Sequence, residues 1–245
     1  MASLTQMQLD TLVGLPAAAA YQTLLLSRES LESFTIHRYS SPPRLQERVP
    51  MSSFENAIVD EAKTISAVAL PFWVKLFALC ATRGQCSEAL LKAAFFHNGP
   101  GAESEHARCE LEFGLLQKVS QEEHLNVSLG SRIIDANSGE LHINMLDFDV
   151  AVNHANTQII VSVCRELMPS GFLVLVSGDS YHAVGTELVE PSARIALLGK
   201  ALLVSPLVDI FYVGHQLQQR ASSIRISKGG RAGQCPIVLH AWNGQ

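Results

Sequence analysis

The stretch Leu141-His142-Ile143-Asn144-Met145-Leu146-Asp147-Phe148-Asp149-Val150 decides how this chain is read. Its first half alternates apolar Ile143 and Met145 with polar His142 and Asn144, the period of a β-strand, and it then ends on two carboxylates. Asp147 and Asp149 are two apart, so on a strand both project from one face while Leu146 and Phe148 point into the opposite layer.

Downstream the pattern stays regular. Asn153 can cap a helix over residues 154–167, with Ile159, Ile160, Val163 and Leu167 on one face, and Pro169 with Gly171 stops it. Phe172–Val176 reads as a fully apolar strand, Ser177-Gly178-Asp179-Ser180 as a turn and Tyr181–Gly185 as a returning strand. Helices are expected over 191–203 and 206–219, each opened by a proline at its first position. Ser222–Ser227 reads as a short strand, 228–233 as a basic glycine-rich loop and Pro236–Ala241 as a last strand. The class is α+β, and the order is a split β-α-β-β-α-β of RRM or ferredoxin-like type, with one extra helix and one extra short strand, over 136–245.

Upstream the signals are sparser. An apolar segment, Leu15–Leu26, leads into a polar stretch ending in Ser40-Ser41-Pro42-Pro43, which reads as a loop. Ser52 and Ser53 open a helix carrying Ile58, Val59, Ala62, Ile65, Val68 and Ala69, which Pro71 kinks or ends. Residues 87–95 form a second short helix closed by Asn98-Gly99-Pro100-Gly101, and Leu125–Ile134 alternates as a strand. Residues 1–135 are expected to form a mostly helical α/β module of their own.

At 245 residues with 47% hydrophobic and 17% charged content, the chain is expected to be a soluble globular protein. A net charge of −5 gives no overall attraction to phosphate, so any nucleic-acid contact needs a local basic cluster. Five cysteines without a CxxC pair read as reduced thiols. The N-terminus has no basic n-region, and the apolar run 65–81 is interrupted by Pro71 and Lys75, so a cytoplasmic protein is expected.

Paired carboxylates at Asp147 and Asp149 need a counter-charge, which a divalent cation supplies; the alternative is that both are simply solvated. Asp209, in the expected first turn of its helix, is favoured there by the helix dipole without any function. The turn after Ser177 brings that serine and His182 to one hairpin end, where they can donate to a phosphate. Arg220, Arg225, Lys228 and Arg231 form the clearest basic cluster, which reads either as an anion site or as the charged guard of an edge strand. Cys80, Cys86, His97, His106 and Cys109 are zinc-ligand types, but their spacing matches no close-paired knuckle, and zinc is not expected.

In order, these pieces resemble the archaeo-eukaryotic primase superfamily, the primase-polymerases. Met145-Leu146-Asp147-Phe148-Asp149 is similar to its hydrophobic-hydrophobic-Asp-x-Asp/Glu motif, Ser177-Gly178-Asp179-Ser180-Tyr181-His182 to its Ser/His hairpin, and Val208-Asp209 followed by Arg220 and Ile224–Lys228 to its third motif. The resemblance implies a catalytic palm in which Asp147, Asp149 and Asp209 hold two Mg²⁺ or Mn²⁺ ions. It also implies that Ser177 and His182 contact an incoming triphosphate, and that Arg225 and Lys228 hold its phosphates. The implied function is template-directed nucleotidyl transfer from NTP or dNTP to a 3′-hydroxyl, with single-stranded or primed nucleic acid as partner, in DNA replication or repair. The alternatives are an inactive primase-like nucleotide- or nucleic-acid-binding module and, further off, a nucleotidyl cyclase.

Overall fold

The structure is a computed structural model that describes residues 4–39, 50–65, 70–95, 102–122, 125–228 and 233–244. The expected loop at Ser40-Ser41-Pro42-Pro43, the breakers Asn98 to Gly101, and His97, Gly229, Gly230 and Arg231 lie outside the described residues.

In chain order the elements begin with α1 (Gln6–Asp10), α2 (Ala17–Leu26), β1 (Leu31–Tyr39), α3 (Ser53–Thr64), α4 (Phe72–Arg83) and α5 (Glu88–Phe95). They continue with β2 (Ala102–Ala107), α6 (Arg108–Glu112), α7 (Leu115–Val119), β3 (Asn126–Asp135) and β4 (Gly139–Phe148). The series closes with α8 (His154–Leu167), β5 (Phe172–Ser177), β6 (Ser180–Val189), α9 (Pro191–Leu202), α10 (Ile210–Gln218), β7 (Ser223–Arg225) and β8 (Ile237–Trp242). An α+β fold is what the alternation from residue 141 onward requires.

The contacts do not divide the chain at residue 135. Met1–Ser40 and Ala102–Gln245 make one compact unit, and Ser41–Gly101, which carries α3, α4 and α5, makes another. Among the described residues the first unit is built on one antiparallel sheet of eight strands in the order β2-β1-β3-β4-β6-β5-β8, with β7 paired to β3. The N-terminal region therefore extends the sheet as well as supplying helices. Strand β1 escapes the sequence reading because its pairing to β3 shifts register between Phe34 and Ile36, which breaks the two-residue alternation.

The last strand also lies elsewhere than the split β-α-β-β-α-β order predicts. Instead of flanking β4, β8 pairs with β5 on the far edge of the sheet. The place beside β4 is shared. β3 pairs with β4 through Arg132–Asp135 and with β7 through Ser128–Gly130, while β1 occupies the other edge of β3. The short strand that looked supernumerary in the sequence is thus the one brought to the first strand's side.

Strand β4 is buried on both sides, which its composition dictates. Ile143 and Met145 join a core with Tyr21 and Leu25 of α2, Leu111 of α6 and Leu116 of α7. Leu146 and Phe148 join a second core with Ile160 and Cys164 of α8, Leu197 and Leu198 of α9, and Val213 of α10. The sheet is therefore sandwiched between two helical layers. Helix α8 starts as expected, with Asn153 Oδ1 accepting from the Asn156 N–H at 2.9 Å. Its buried stripe is rotated, however: Ile160, Val161 and Cys164 face the core, whereas Ile159 is exposed.

Helix α9 carries a fully buried cation, Arg194. Its Nε donates to Ser222 Oγ (3.2 Å), Nη1 to the Arg220 carbonyl (3.2 Å) and Nη2 to the Gln216 carbonyl (2.8 Å). These bonds satisfy carbonyls at the end of α10 and fix the start of β7. Arg220 itself adopts the left-handed conformation that ends a helix, φ 57°. Arg194→Ala should lower unfolding stability by about 3 kcal/mol or more, because it strands buried acceptors as well as removing packing. Urea unfolding checks this, and a loss under about 1 kcal/mol would contradict the role given to Arg194.

Candidate active site

The end of β4 is completed by a segment distant in sequence. Phe148 bridges Val208 in antiparallel sense, the Asp149 N–H donates to the Leu207 carbonyl at 2.9 Å, and the Asp209 N–H donates to the Asp147 carbonyl at 2.9 Å. Phe148 and Val208 are buried in the α8–α9–α10 core, and Asp147 and Asp209 stand directly opposite one another in the same crossing. Cross-strand partners share a face, so the two carboxylates leave the sheet together.

Asp209 is not within the first turn of its helix, as its sequence position suggested. It is the N-cap of α10, which begins at Ile210 rather than at Pro206. Its Oδ1 accepts from the Phe211 N–H (2.8 Å) and the Tyr212 N–H (3.2 Å), leaving Oδ2 as the oxygen available to another partner. Asp149, two residues beyond Asp147, is exposed at the mouth of the strand.

The hairpin of β5 and β6 supplies the next groups. Ser177 pairs with Ser180 across a two-residue turn whose first residue, Gly178, has φ 75°, a conformation that needs glycine. His182 lies opposite Asp147 in the β4–β6 ladder, with Nε2 at 3.6 Å from Asp147 Oδ1, too far for a direct hydrogen bond. Arg225, at the end of β7, donates from Nη2 to Ser177 Oγ (2.9 Å) and from Nη1 to the carbonyls of Ser227 and Gln234 (2.7 Å each). Asp147, Asp209, His182, Ser177 and Arg225 are therefore gathered at one place. Lys228 lies exposed beyond Arg225, close enough to Cys235 to act on its thiol.

Charges of both signs act on Asp147: desolvation and the Asp209 and Asp149 carboxylates raise its pKa, and Arg225 opposes them. Burial, reinforced by the Asp209 and Asp149 charges, pushes the Asp147 carboxyl up to about 8. Burial, with Arg225 beside it, pushes the His182 imidazole down to about 3. Both shifts disfavour the charged form, the acid's upward and the imidazole's downward. Asp147 Oδ1 and His182 Nδ1 are both buried without a hydrogen-bond partner among the described residues. Such orphaned atoms are costly unless something else satisfies them.

Among the described residues no group of three His, Cys, Asp or Glu side chains is disposed to hold a metal ion. The donor chemistry still fits a hard divalent cation: two facing carboxylates, one with an orphaned oxygen, and a third acid at the rim. Cys80 and Cys86 belong to one compact unit, and His106 and Cys109 to the other, where the His106 ring is held by Ser104 and Glu110. Among the described residues no helix is long and apolar enough to cross a membrane.

The Asp147 shift has a definite sign. Between about pH 4 and pH 8 the unfolded chain ionises this group while the folded chain keeps it protonated, so its contribution to stability falls as pH rises. His182 works the other way, costing stability as pH falls from about 6.5 toward 3, but it is common to native protein and variant. Asp147→Asn should therefore unfold at higher urea than the native protein at pH 8, with the difference shrinking toward pH 4. A variant less stable than native at pH 8 would contradict the buried, protonated state of Asp147.

A family model described as archaeo-eukaryotic primase 1D-like (AEP-like) matches residues 109–233, just over half of the chain. The match takes in β3 to β7 and every residue gathered at the site. No curated protein and no solved structure matches the chain. The chain belongs to the archaeo-eukaryotic primase-like family, a primase-like family of nucleotidyltransferases.

Proposed function

We propose that the protein is a template-directed nucleotidyltransferase of the primase-polymerase type, adding nucleotides from NTP or dNTP to a 3′-hydroxyl. The observation that carries this reading is the crossing of β4 with residues 207–209, which sets Asp209 against Asp147 within reach of His182 and Arg225. A hydroxyl attack on an α-phosphate needs negative oxygen ligands on one side and cations on the other, and this end of the sheet carries both.

Asp147 and Asp209, with Asp149 at the rim, are the residues that would hold Mg²⁺ or Mn²⁺. Bound there, the two ions supply the positive charge that makes the attacking hydroxyl acidic and offsets the charge on the departing pyrophosphate. As a ligand Asp147 would act through its carboxylate form, and its orphaned Oδ1 would then have a partner. His182 offers a neutral imidazole whose unpartnered Nδ1 can hydrogen-bond a phosphate oxygen. Arg225, anchored by Ser177, places a fixed cation behind that imidazole, and Lys228 adds an exposed surface charge for the same phosphates.

The second reading, a binding module that has lost catalysis, is favoured by one observation: Asp209 Oδ1 is already committed to capping α10. A cyclase would convert one triphosphate without template. Labelled nucleotides with Mn²⁺, with and without a primed template, separate the three. The proposal expects template-dependent extension, reduced roughly a hundredfold or more in Asp147→Ala with an unchanged circular dichroism spectrum. Nucleotide binding without pyrophosphate release, or extension unaffected by the substitution, would overturn it.

A further inference from the structure

Strand β7 is only three residues long, and a buried serine side chain closes each end of its pairing with β3. At the start, Ser131 Oγ accepts from the Ser222 N–H at 2.7 Å, and the Ser131 N–H donates to the Ser222 carbonyl at 2.7 Å. At the end, Ser227 Oγ accepts from the Val127 N–H at 2.9 Å. Both serines are fully buried, so their hydroxyls satisfy backbone donors that water does not reach.

The two ends differ in what they do for Arg225. The Ile226 and Ser227 N–H groups both donate to the Val127 carbonyl, at 2.9 and 3.3 Å, so two residues of the departing chain face one residue of β3. That is the arrangement of a β-bulge, which bends a strand and re-aims what it carries. The Ser227 hydroxyl closes the bulge by taking the Val127 N–H, and the Ser227 carbonyl accepts from Arg225 Nη1 at 2.7 Å. With Nη1 also on the Gln234 carbonyl and Nη2 on Ser177 Oγ, the guanidinium is held in one orientation. A planar guanidinium fork recognises phosphate by its orientation, so whatever anchors the fork bears on affinity. Ser131 is placed differently: its hydroxyl lies between Ser222 and His142 Nδ1 (3.1 Å), at the opposite end of β7 from Arg225.

We infer that Ser227 is a positioning residue for phosphate binding: its buried hydroxyl holds the bulge that turns the Ser227 carbonyl onto Arg225, and so fixes the guanidinium. The inference rests on the reading of Arg225 as the cation that holds the phosphates of the incoming nucleotide. Ser227 touches no phosphate itself and acts through Arg225 alone, so its effect disappears when Arg225 is removed.

The test is the binding of inorganic triphosphate with Mg²⁺ to the native protein, Ser227→Ala, Ser131→Ala, Arg225→Ala and the double variant Ser227→Ala with Arg225→Ala. Affinity is read by titration calorimetry, below the thermal midpoint recorded for each protein. Ser131→Ala is the control, since it too strands a buried backbone N–H in the β3–β7 pair. The expected result is binding about fivefold weaker in Ser227→Ala, native affinity in Ser131→Ala, and no loss in the double variant beyond that of Arg225→Ala. Both serine variants should melt below the native protein, so lowered stability does not account for the difference between them. If Ser227→Ala does not fold, Ser227→Cys keeps the volume, weakens the acceptor and carries the same comparison. Native affinity in Ser227→Ala alongside weakened binding in Arg225→Ala overturns the inference alone, as does an equal loss in both serine variants or a further loss in the double variant. Native affinity in Arg225→Ala overturns the phosphate reading of that arginine, and the inference falls with it.

Discussion

The hydrogen bond from the Asp209 N–H to the Asp147 carbonyl, with its companion from the Asp149 N–H to the Leu207 carbonyl, is the constraint on which the site depends. Two bonds and one buried apolar pair, Phe148 with Val208, tie the end of a central strand to the segment that leads into α10. Without that crossing Asp209 would be an ordinary helix cap. With it, the cap also stands opposite the paired acids, and a residue placed for helix stability becomes available for chemistry.

The same crossing sets the electrostatic problem. Asp147 and Asp209 are brought together at a partly buried place, where desolvation and the neighbouring acid charges push the Asp147 carboxyl up to about 8. His182 opposite is held neutral by the same burial and by Arg225. A pair pushed in opposite directions, each with an orphaned buried atom, marks a functional site more often than a structural one, because packing alone gives no reason to keep it. Arg225 is better fixed than a surface phosphate-binding arginine, since three of its bonds join the hairpin, the end of β7 and the segment before β8.

Much of this was legible in the residues because local rules agreed with the global fold. The alternation of Ile143 and Met145 with His142 and Asn144, the capping Asn153 and the glycine turn at Gly178 each specify their element without help from distant parts. That β6 lies beside β4 follows from the strand order, while the facing of Asp147 and His182 depends on a register that shifts between Ile143 and Met145. What was hidden depends on pairings that no local pattern encodes. β1 is disguised by its register shift, β8 could have joined either edge of the sheet, and β7 shares an edge of β3 with β4. The role of Asp209 as N-cap was obscured by the two prolines ahead of the C-terminal helices, only the first of which opens one.

The most direct test of the central claim, that Asp147 and Asp209 jointly hold a divalent cation, is the anomalous scattering of a crystal soaked in Mn²⁺. The account predicts a peak between these two carboxylates, with the His182 ring and the Arg225 guanidinium facing it across the site. A peak located elsewhere, or density in which Asp209 turns away from Asp147 with no ion between them, would contradict it.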